Sequence, residues 1–267
     1  MESLQVFREN SIVTVTINQP KRKNAINPAM WDGLTEIFRE IAANAEDRVV
    51  VITGSGEDFC SGADLSGRGS SGDAASSSSA GERVHHLAAM RRVNDACIAL
   101  QRMPQPTIAK VRGVAVGAGC NLALGCDLVV ASQTARFSEI FARRGLSLDF
   151  GGSWFLPRRI GMHRAKELAF FAEIIGATEA LEMGLVNRVL ADSEIDSFVA
   201  DWARKLAAGP PIALAQTKRL LNNSLNVTLE EALDDEAAAQ TINFATSDTA
   251  EAMRAFIEKR EPKFTGR

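Results

Sequence analysis

The 267-residue sequence contains no tyrosine, only three histidines and only four cysteines. His85, His86 and His163 lack the spacing of a metal site, and adjacent histidines on a helix point to different faces. Acid–base chemistry would therefore have to come from carboxylates. No cysteine pair has the C-x-x-C spacing, which argues against zinc and redox motifs and favours reduced thiols. We expect neither a metal nor a separate cofactor.

Long apolar runs and an excess of basic charge are also missing. No stretch approaches the ~20 apolar residues of a membrane-spanning helix. The first residues lack a cationic region followed by an apolar one, so we expect no export leader and a cytoplasmic location. A net charge of −3 and a pI of 5.8 argue against nucleic-acid or membrane partners. The hydrophobic content of 46% is typical of a globular protein with a sizeable core.

Three common active-site motifs are incomplete. Residues 151–155 read GGSWF and lack the closing glycine of the serine-hydrolase elbow. No phosphate-binding loop with its lysine is present. Residues 117–119 begin like a dinucleotide loop, but Leu122 stands where the third glycine belongs, and the full pattern at 67–72 follows no strand. These gaps argue against a serine hydrolase, a nucleotide phosphatase and a nicotinamide or flavin enzyme.

What the sequence does contain is an alternation of strand-like and helical segments. Residues 4–17 predict a hairpin that turns near residues 9–10, and the apolar run 49–53 predicts a parallel strand covered on both faces. The periodicity further predicts strands at 107–113, 128–131 and 185–190, and helices at 28–41, 82–102, 119–125, 168–175, 198–206, 212–221, 229–244 and 250–259. This order predicts an α/β core over residues 1–195 and a helical section over 196–267.

Two turns of small residues each follow a strand-like run. Residues 61–65 read SGADL, and residues 117–121 read GAGCN. Bare backbone N–H groups at such junctions can bind an anion. Two turns that converge on one point would form an oxyanion hole. Tight packing of strand against helix explains the glycines equally well, and spacing alone leaves both interpretations open.

The order and spacing of several motifs resemble the crotonase superfamily, the enoyl-CoA hydratase/isomerase family. The matching motifs cover nearly the whole chain and are residues 20–25 (PKRKNA), 59–65 (FCSGADL), 113–120 (GVAVGAGC), 126–128 (CDL), 150–152 (FGG), 184–189 (GLVNRV) and 256–260 (FIEKR). The resemblance implies a crotonase-like spiral of ββα units with a C-terminal helical trimerisation section. It also implies a homotrimer, or a hexamer that is a dimer of trimers, and an acyl-CoA thioester as substrate, with coenzyme A as part of that substrate.

The resemblance assigns roles to individual residues. The N–H groups of Ala63 and Ala118 would bind the thioester oxygen and stabilise an enolate, each by roughly 3–4 kcal/mol. The positions that would contact coenzyme A or the acyl group are Lys23, Ala25, Ser61, Asp64, Leu65, Asn121, Phe141, Phe256 and Lys259. Of these, Phe256 and Lys259 match tail positions that reach the coenzyme A of a neighbouring subunit. A solvated charge run is the alternative explanation for Lys23, and packing on a helix face is the alternative for Phe256.

The reaction depends on which carboxylates are present. By the resemblance, the two glutamates of the family's hydratases would fall at Asn121 and Phe141, and neither residue exchanges a proton at neutral pH. Glu139 lies two residues before the second position. Asp149 stands where relatives that isomerise double bonds or rings of acyl-CoA substrates carry a carboxylate, and its apolar neighbours would raise its pKa. Capping of a helix that starts near Gly151 is the alternative role for Asp149.

We therefore predict an enoyl-CoA isomerase-like enzyme in which Asp149 is the single acid/base and Phe141 forms an apolar wall. One alternative is an enoyl-CoA hydratase of the kind that acts in fatty-acid β-oxidation, which would use Asp149 or Glu139. A second alternative is an acyl-CoA-binding homologue without catalytic activity. The low-complexity segment 66–81, which we expect to be a mobile flap or insertion, lies where relatives shape the acyl pocket.

Overall fold

The computed structural model describes residues 3–64 and 86–267. Leu65 and the low-complexity segment 66–81 lie outside these ranges. The strands are β1 (Leu4–Glu9), β2 (Ile12–Ile17), β3 (Val49–Gly54), β4 (Thr107–Val111), β5 (Val114–Val116), β6 (Leu128–Ser132), β7 (Arg136–Ser138), β8 (Ile175–Gly176) and β9 (Arg188–Leu190).

The helices alternate with these strands and then follow them. They are α1 (Pro28–Ala43), α2 (His86–Arg102), α3 (Ala118–Leu124), α4 (Gly152–Ile160), α5 (Met162–Phe171), α6 (Ala177–Met183), α7 (Ile195–Ala207), α8 (Pro211–Asn223), α9 (Leu229–Phe244) and α10 (Ser247–Glu258). Two short 3-10 helices span Pro20–Arg22 and Ile140–Arg144. Within the described ranges, no helix is both long and apolar enough to cross a membrane.

Six strands form one sheet in the order β1-β2-β3-β4-β6-β9. The predicted hairpin is confirmed: β1 and β2 pair antiparallel through a two-residue turn, in which Asn10 and Ser11 have φ of 51° and 63°. The remaining neighbours in this sheet pair in parallel. The carboxyl ends of β3 and β4 therefore lie at the same edge of the sheet, and the chain continues from each of them toward one of the two small-residue turns.

Strand β3 is covered on both faces, as its apolar run predicted. Val50 and Ile52 belong to the large core that also includes helices α1 and α2, whereas Val49 and Val51 pack with the buried side chains of α7. Because successive side chains of a strand point to opposite faces, a strand covered on both sides needs apolar residues at every position. This packing fixes the edge from which the candidate site is built.

The predicted strand 107–113 is wrong in its extent, because the chain changes sheets within it. Strand β4 ends at Val111, and β5 pairs instead with β7 in a three-stranded sheet of order β5-β7-β8. Gly113 makes the change with φ +50°, and a Cβ atom there would lie 2.3 Å from the Glu57 carbonyl oxygen. Asp58 fixes the new direction by accepting a hydrogen bond from the Val114 N–H at 2.8 Å.

The predicted helix 168–175 is also wrong at its end. Helix α5 stops at Phe171, and Ala172 follows in the left-handed conformation with φ +51°. Ile175 then pairs with Phe137 as part of β8, a strand that the sequence analysis did not predict. The apolar spacing of this segment fits both a helix and a buried strand, and contact with β7 decides in favour of the strand.

Candidate active site

The first small-residue turn is held beside the segment that follows residues 20–22. The Gly62 carbonyl accepts a hydrogen bond from the Ile26 N–H at 2.8 Å, and the Asp64 N–H donates to the Ile26 carbonyl at 2.9 Å. In this parallel bridge between Ile26 and Ala63, the N–H of Ala63 points away from Ile26. The bridge therefore leaves the Ala63 N–H free to donate on the opposite side.

The second turn lies directly against the first. Gly117 has φ +57° and precedes α3, whose first residue is Ala118. The N–H of a first helical residue has no acceptor within its helix. A Cβ atom added to Gly62, whose φ is +91°, would lie 2.8 Å from the Val116 carbonyl oxygen and 3.4 Å from the Ala118 nitrogen. The two turns therefore meet, and at Gly62 only glycine fits between them.

Four of the residues predicted to contact coenzyme A lie along the first turn. They are Lys23, Ala25, Ser61 and Asp64. The Ser61 N–H donates to the Lys23 carbonyl at 2.9 Å, which ties the two segments together. The Lys23 side chain is exposed, and its ammonium lies 3.9 Å from an Asp58 carboxylate oxygen. Asp64 forms an ion pair with Arg22. Two basic side chains, each with an acidic neighbour, therefore border the Ala63 turn.

Within the single chain, the structure does not bring Phe256 and Lys259 to the Ala63 turn. Phe256 is 84% exposed on α10, and Lys259 ends that helix in the left-handed conformation with φ +53°. Within residues 3–64 and 86–267, no hydrogen bond or ion pair joins α10 to the Ala63 or Ala118 turn. Their predicted role in a neighbouring subunit's site stays a prediction, and Leu65 lies outside the described residues.

A strained turn before α4 carries Asp149. Phe150 and Gly151 both have positive φ, of 44° and 78°, which is a costly conformation for a bulky residue. Phe150 is fully buried, its ring centroid lies 5.3 Å from that of Trp31, and its carbonyl accepts a hydrogen bond from the Cys97 thiol at 3.6 Å. The N-cap of α4 is Gly151, without a side-chain capping bond. The helix-cap interpretation of Asp149 is therefore wrong.

The Asp149 carboxyl lies in a mostly enclosed position. Its Oδ1 atom is buried and has no hydrogen-bond partner among the described residues, whereas the residue as a whole is half-buried. Burial raises the pKa of Asp149 to about 6, because the charged form loses its hydration. A carboxyl group with a pKa near neutrality can both accept and return a proton at physiological pH.

Asn121 lies between this turn and a second buried carboxyl, that of Glu139. The Asn121 amide nitrogen donates to Glu139 Oε2 at 3.2 Å and to the Asp149 main-chain carbonyl at 3.0 Å. Glu139 is only 1% exposed, and burial raises its pKa to about 7. Asn121 is completely buried, so the predicted substrate-contacting side chain makes a link within the protein instead.

Phe141, rather than a carboxylate, stands beside the Ala118 turn. The residue is buried in the 3-10 helix Ile140–Arg144, and its ring lies 3.6 Å from the position that a Cβ atom of Gly117 would take. On the other side of Glu139, the gap between Glu139 and Cys120 has no room for a water molecule. The surroundings of the second turn are therefore apolar and tightly packed.

A second and larger cavity, of about 880 Å³, which we call the rear cavity, adjoins the Asp149 turn on the side of Cys97 and Gly151. Cys97 and Gly151, which pack against that turn, line its inner end together with Trp154 and Phe155. Helix α8 and the segment after it form the opposite wall, with amide side chains such as those of Asn222, Asn223 and Asn226. The cavity thus has an apolar end near Asp149 and a polar rim.

Comparison with known proteins identifies the class to which this site belongs. The family model described as enoyl-CoA hydratase/isomerase matches residues 7–267. The chain is 40% identical to a protein of Rhodobacter capsulatus named "Probable enoyl-CoA hydratase", over 96% of this chain and 95% of that protein. It is 35% identical to the 1,2-epoxyphenylacetyl-CoA isomerase of Escherichia coli over the full length of both. The chain therefore belongs to the enoyl-CoA hydratase/isomerase family.

A solved structure supports the same fold over the full length. The enoyl-CoA hydratase of Bacillus anthracis superposes on this chain with a TM-score of 0.92 at 31% identity, covering 100% of both chains. The crotonase fold expected from the motifs is therefore confirmed. An acyl-CoA is the substrate class of this family, and these comparisons leave the choice between hydration and isomerisation to the site itself.

Sequence reasoning missed Cys97 and gave Asn121 a different role from the contacts it makes in the structure. Cys97, which lies on α2 far from the motifs, holds the Phe150 carbonyl and lines the rear cavity. Asn121 was assigned to the substrate, whereas its amide connects Glu139 with the Asp149 main chain. The only sequence signal for either residue was a polar or small side chain within an apolar helical face.

Proposed function

We propose that this protein is an acyl-CoA isomerase in which Asp149 is the single acid/base. The observation that carries the proposal is a half-buried carboxyl with a pKa near 6, next to turns with unpaired N–H groups. Asn121 and Phe141 occupy the positions where the family's hydratases carry glutamates. Neither of these side chains activates water at neutral pH.

The reaction moves one proton between two carbons of the substrate. The Asp149 carboxylate removes a proton from the carbon next to the thioester carbonyl. The electron pair of that C–H bond passes into the thioester to give an enolate oxygen. The N–H groups of Ala63 and Ala118 donate hydrogen bonds to that oxygen, which stabilises the developing charge. The same proton then returns from Asp149 to a different carbon, so that the double bond shifts without net gain or loss of atoms.

The remaining predicted residues serve binding rather than proton transfer. Lys23, together with the main chain around Ala25 and Ser61, forms a cationic border suited to the phosphates of coenzyme A. Phe141 keeps water away from the enolate, since its ring lies against Gly117. Coenzyme A enters as part of the substrate, and the mechanism uses no further cofactor.

We also propose that the protein works as a homotrimer or as a dimer of trimers. Support comes from large apolar side chains that are exposed on the C-terminal helices of the single chain: Leu221, Leu225, Leu229, Leu233, Phe244, Phe256 and Ile257. An apolar surface of this extent favours association. Sedimentation equilibrium is expected to give three or six times the 28.7 kDa chain mass, and a monomeric mass would contradict the proposal.

The experiment for the catalytic proposal is a substrate panel combined with one substitution. Esters of coenzyme A with 3-enoyl, 2-enoyl and aromatic acyl groups are followed by enoyl-thioester absorbance, and we expect the 3-enoyl and ring substrates to isomerise. Asp149→Asn is expected to abolish deuterium exchange at the α or γ carbon and to leave CoA-ester binding intact. Undiminished exchange in this variant would overturn the assignment.

A hydratase is the second candidate function. The names of the Rhodobacter capsulatus relative and of the Bacillus anthracis structure favour it, and Glu139 supplies a second buried carboxyl. The isomerase is favoured because Asn121 and Phe141 stand where the hydratases of the family carry their glutamates. Rapid hydration of crotonyl-CoA would establish the hydratase, and tight CoA-ester binding without any deuterium exchange would indicate a non-catalytic homologue.

A further inference from the structure

The side chains of Asn121 and Glu139 and the main chain of Asp149 form a cluster in which several buried acceptors lack a donor, although the Cys120 thiol also bonds Glu139. The Asn121 amide donates its two hydrogens to Glu139 Oε2 and to the Asp149 main-chain carbonyl. Three buried oxygens then have no partner among the described residues, namely Asn121 Oδ1, Glu139 Oε1 and Asp149 Oδ1. Buried acceptors without a donor are costly. A proton retained on one carboxyl would supply the missing donor.

Among residues 3–64 and 86–267, no cation lies next to Glu139 to balance a second negative charge. The small gap beside it is lined by apolar side chains from β7, α4, α5 and β8 and by Leu185, together with Ser138 and the Cys120 thiol of α3. In the described part of the chain, the titratable groups that influence Glu139 are Cys120 and Asp149. The Asp149 charge raises the pKa of Glu139 further. Cys97 faces Asp149 from α2 and is itself held neutral by burial.

We propose that Glu139 is a positioning residue for Asp149. Through the Asn121 amide it fixes the main chain of the Asp149 turn, and the protonation of its carboxyl is coupled to that of the Asp149 carboxyl. The inference rests on the proposed function, in which Asp149 is the acid/base. Two carboxyl groups that interact titrate as a pair, so the proton affinity of Asp149 depends on the state of Glu139.

Two substitutions separate the two parts of this role. Glu139→Gln keeps an oxygen that accepts from Asn121 but cannot ionise, whereas Glu139→Ala removes the acceptor altogether. Deuterium exchange into a 3-enoyl-CoA is measured from pH 5 to 9 for each variant and for the wild type. Dissociation constants for the same CoA ester and thermal unfolding curves accompany each rate.

The expected results differ between the variants. For Glu139→Gln, the maximal rate stays within about threefold of wild type, and the rising limb of the pH profile becomes a single narrower step with a midpoint lower by about 0.5–1 pH unit. For Glu139→Ala, kcat falls by about tenfold or more with KM unchanged, because the Asp149 turn loses its support. Rescue of the rate by Gln but not by Ala is the signature of positioning.

Three results would overturn the proposal. A pH profile of Glu139→Gln that superimposes on wild type would show that the two carboxyl groups are not coupled. An unchanged kcat in Glu139→Ala would show that the residue does not support the turn. Complete loss of exchange in Glu139→Gln, with binding and fold intact, would make Glu139 itself the group that reacts with the substrate.

A measurement without turnover keeps the proposal testable if a Glu139 variant fails to fold. Carbon-13 NMR of protein with labelled glutamate carboxyl groups is expected to show one glutamate that titrates near neutral pH. In Asp149→Asn its midpoint is expected to move to lower pH, since the neighbouring charge is gone. A fixed midpoint, or no such glutamate, contradicts the coupling of the two carboxyl groups. Exchange that persists in Asp149→Asn would overturn the proposed function instead, whatever the NMR result.

Discussion

The candidate site has a backbone half and a side-chain half, and they are held in different ways. In the backbone half, which consists of residues 61–64 and 116–119, glycines with positive φ and main-chain hydrogen bonds set the geometry. In the side-chain half, which consists of Asn121, Glu139 and Asp149, the Asn121 amide connects the Glu139 carboxyl with the Asp149 main-chain carbonyl. The first half is fixed by backbone conformation and main-chain hydrogen bonds, whereas the second half depends on side-chain packing and on protonation. The two halves should therefore fail in different ways when they are perturbed.

The largest effect is expected from breaking the backbone half with Gly62→Ala. The added Cβ would meet the Val116 carbonyl at 2.8 Å, and alanine disfavours φ +91°. We expect deuterium exchange to fall by about 10²–10³-fold, the cost of losing one oxyanion donor in other enzymes. Gly145→Ala is the matched control, because it has φ +65° with nothing within 4 Å. The control should lose only about 1 kcal/mol of stability, and equal rates in both variants would contradict the role of the turn.

A smaller effect is expected from disturbing the side-chain half without removing a titratable group. In Gly152→Ala, the new Cβ would lie 2.5 Å from the Asn121 amide nitrogen and would displace it from Asp149. We expect a loss of about 10–100-fold in kcat with little change in KM, because only the acid/base is misplaced. Gly176→Ala, which has open space around it, is the control and should behave as wild type. If KM rose instead, Asn121 would contact the substrate directly.

Of the two halves of the site, only the side-chain half should make the free energy of unfolding depend on pH. The folded-state pKa of Glu139 is raised from 4.5 to about 7, so the folded protein retains a proton that the unfolded chain releases. Stability from this group is therefore present below pH 4.5 and is lost as the pH rises through about 7, by up to roughly 3 kcal/mol. Urea titrations at several pH values should show a flatter curve for Glu139→Gln. A curve parallel to that of wild type would argue against the raised pKa.

The smallest effect is expected at the cationic border of the backbone half. Lys23→Ala should raise KM for CoA esters by about twofold to fivefold and leave kcat unchanged, because an exposed ammonium contributes at most about 1 kcal/mol. The difference should shrink at high salt. Lys205→Ala, an exposed lysine on α7, is the control and should leave KM unchanged. A drop in kcat for Lys23→Ala would place this residue closer to the reacting atoms.

The sequence predicted the backbone half better than the side-chain half. Small residues after strand-like runs marked both turns as local patterns, whereas the roles of Ala63 and Ala118 came from the family resemblance. The bond from Asn121 to the Asp149 carbonyl joins residues 28 positions apart. No local pattern predicts such a bond. The only available guide was the resemblance, which assigned Asn121 to substrate contact.

The same distinction holds for the fold. The hairpin over residues 4–17 and the helix from Pro28 follow from alternation, turn residues and capping, all of which are local. The break at Gly113 and the strand at Ile175 depend on distant partners, the Glu57 carbonyl and Phe137 respectively. Periodicity alone therefore predicted a strand at 107–113 that is too long. It also predicted the end of a helix where the structure has the strand at Ile175.

One measurement tests the central claim, that a single carboxylate performs the proton transfer. Deuterium exchange into a 3-enoyl-CoA is compared side by side in Asp149→Asn and Glu139→Gln at pH 7.5, with CoA-ester affinity measured for both. We expect exchange to fall by about 10²–10⁴-fold in Asp149→Asn and to stay within about threefold of wild type in Glu139→Gln, with unchanged affinity in each. The reverse pattern, or an equal loss in both variants, would contradict the account.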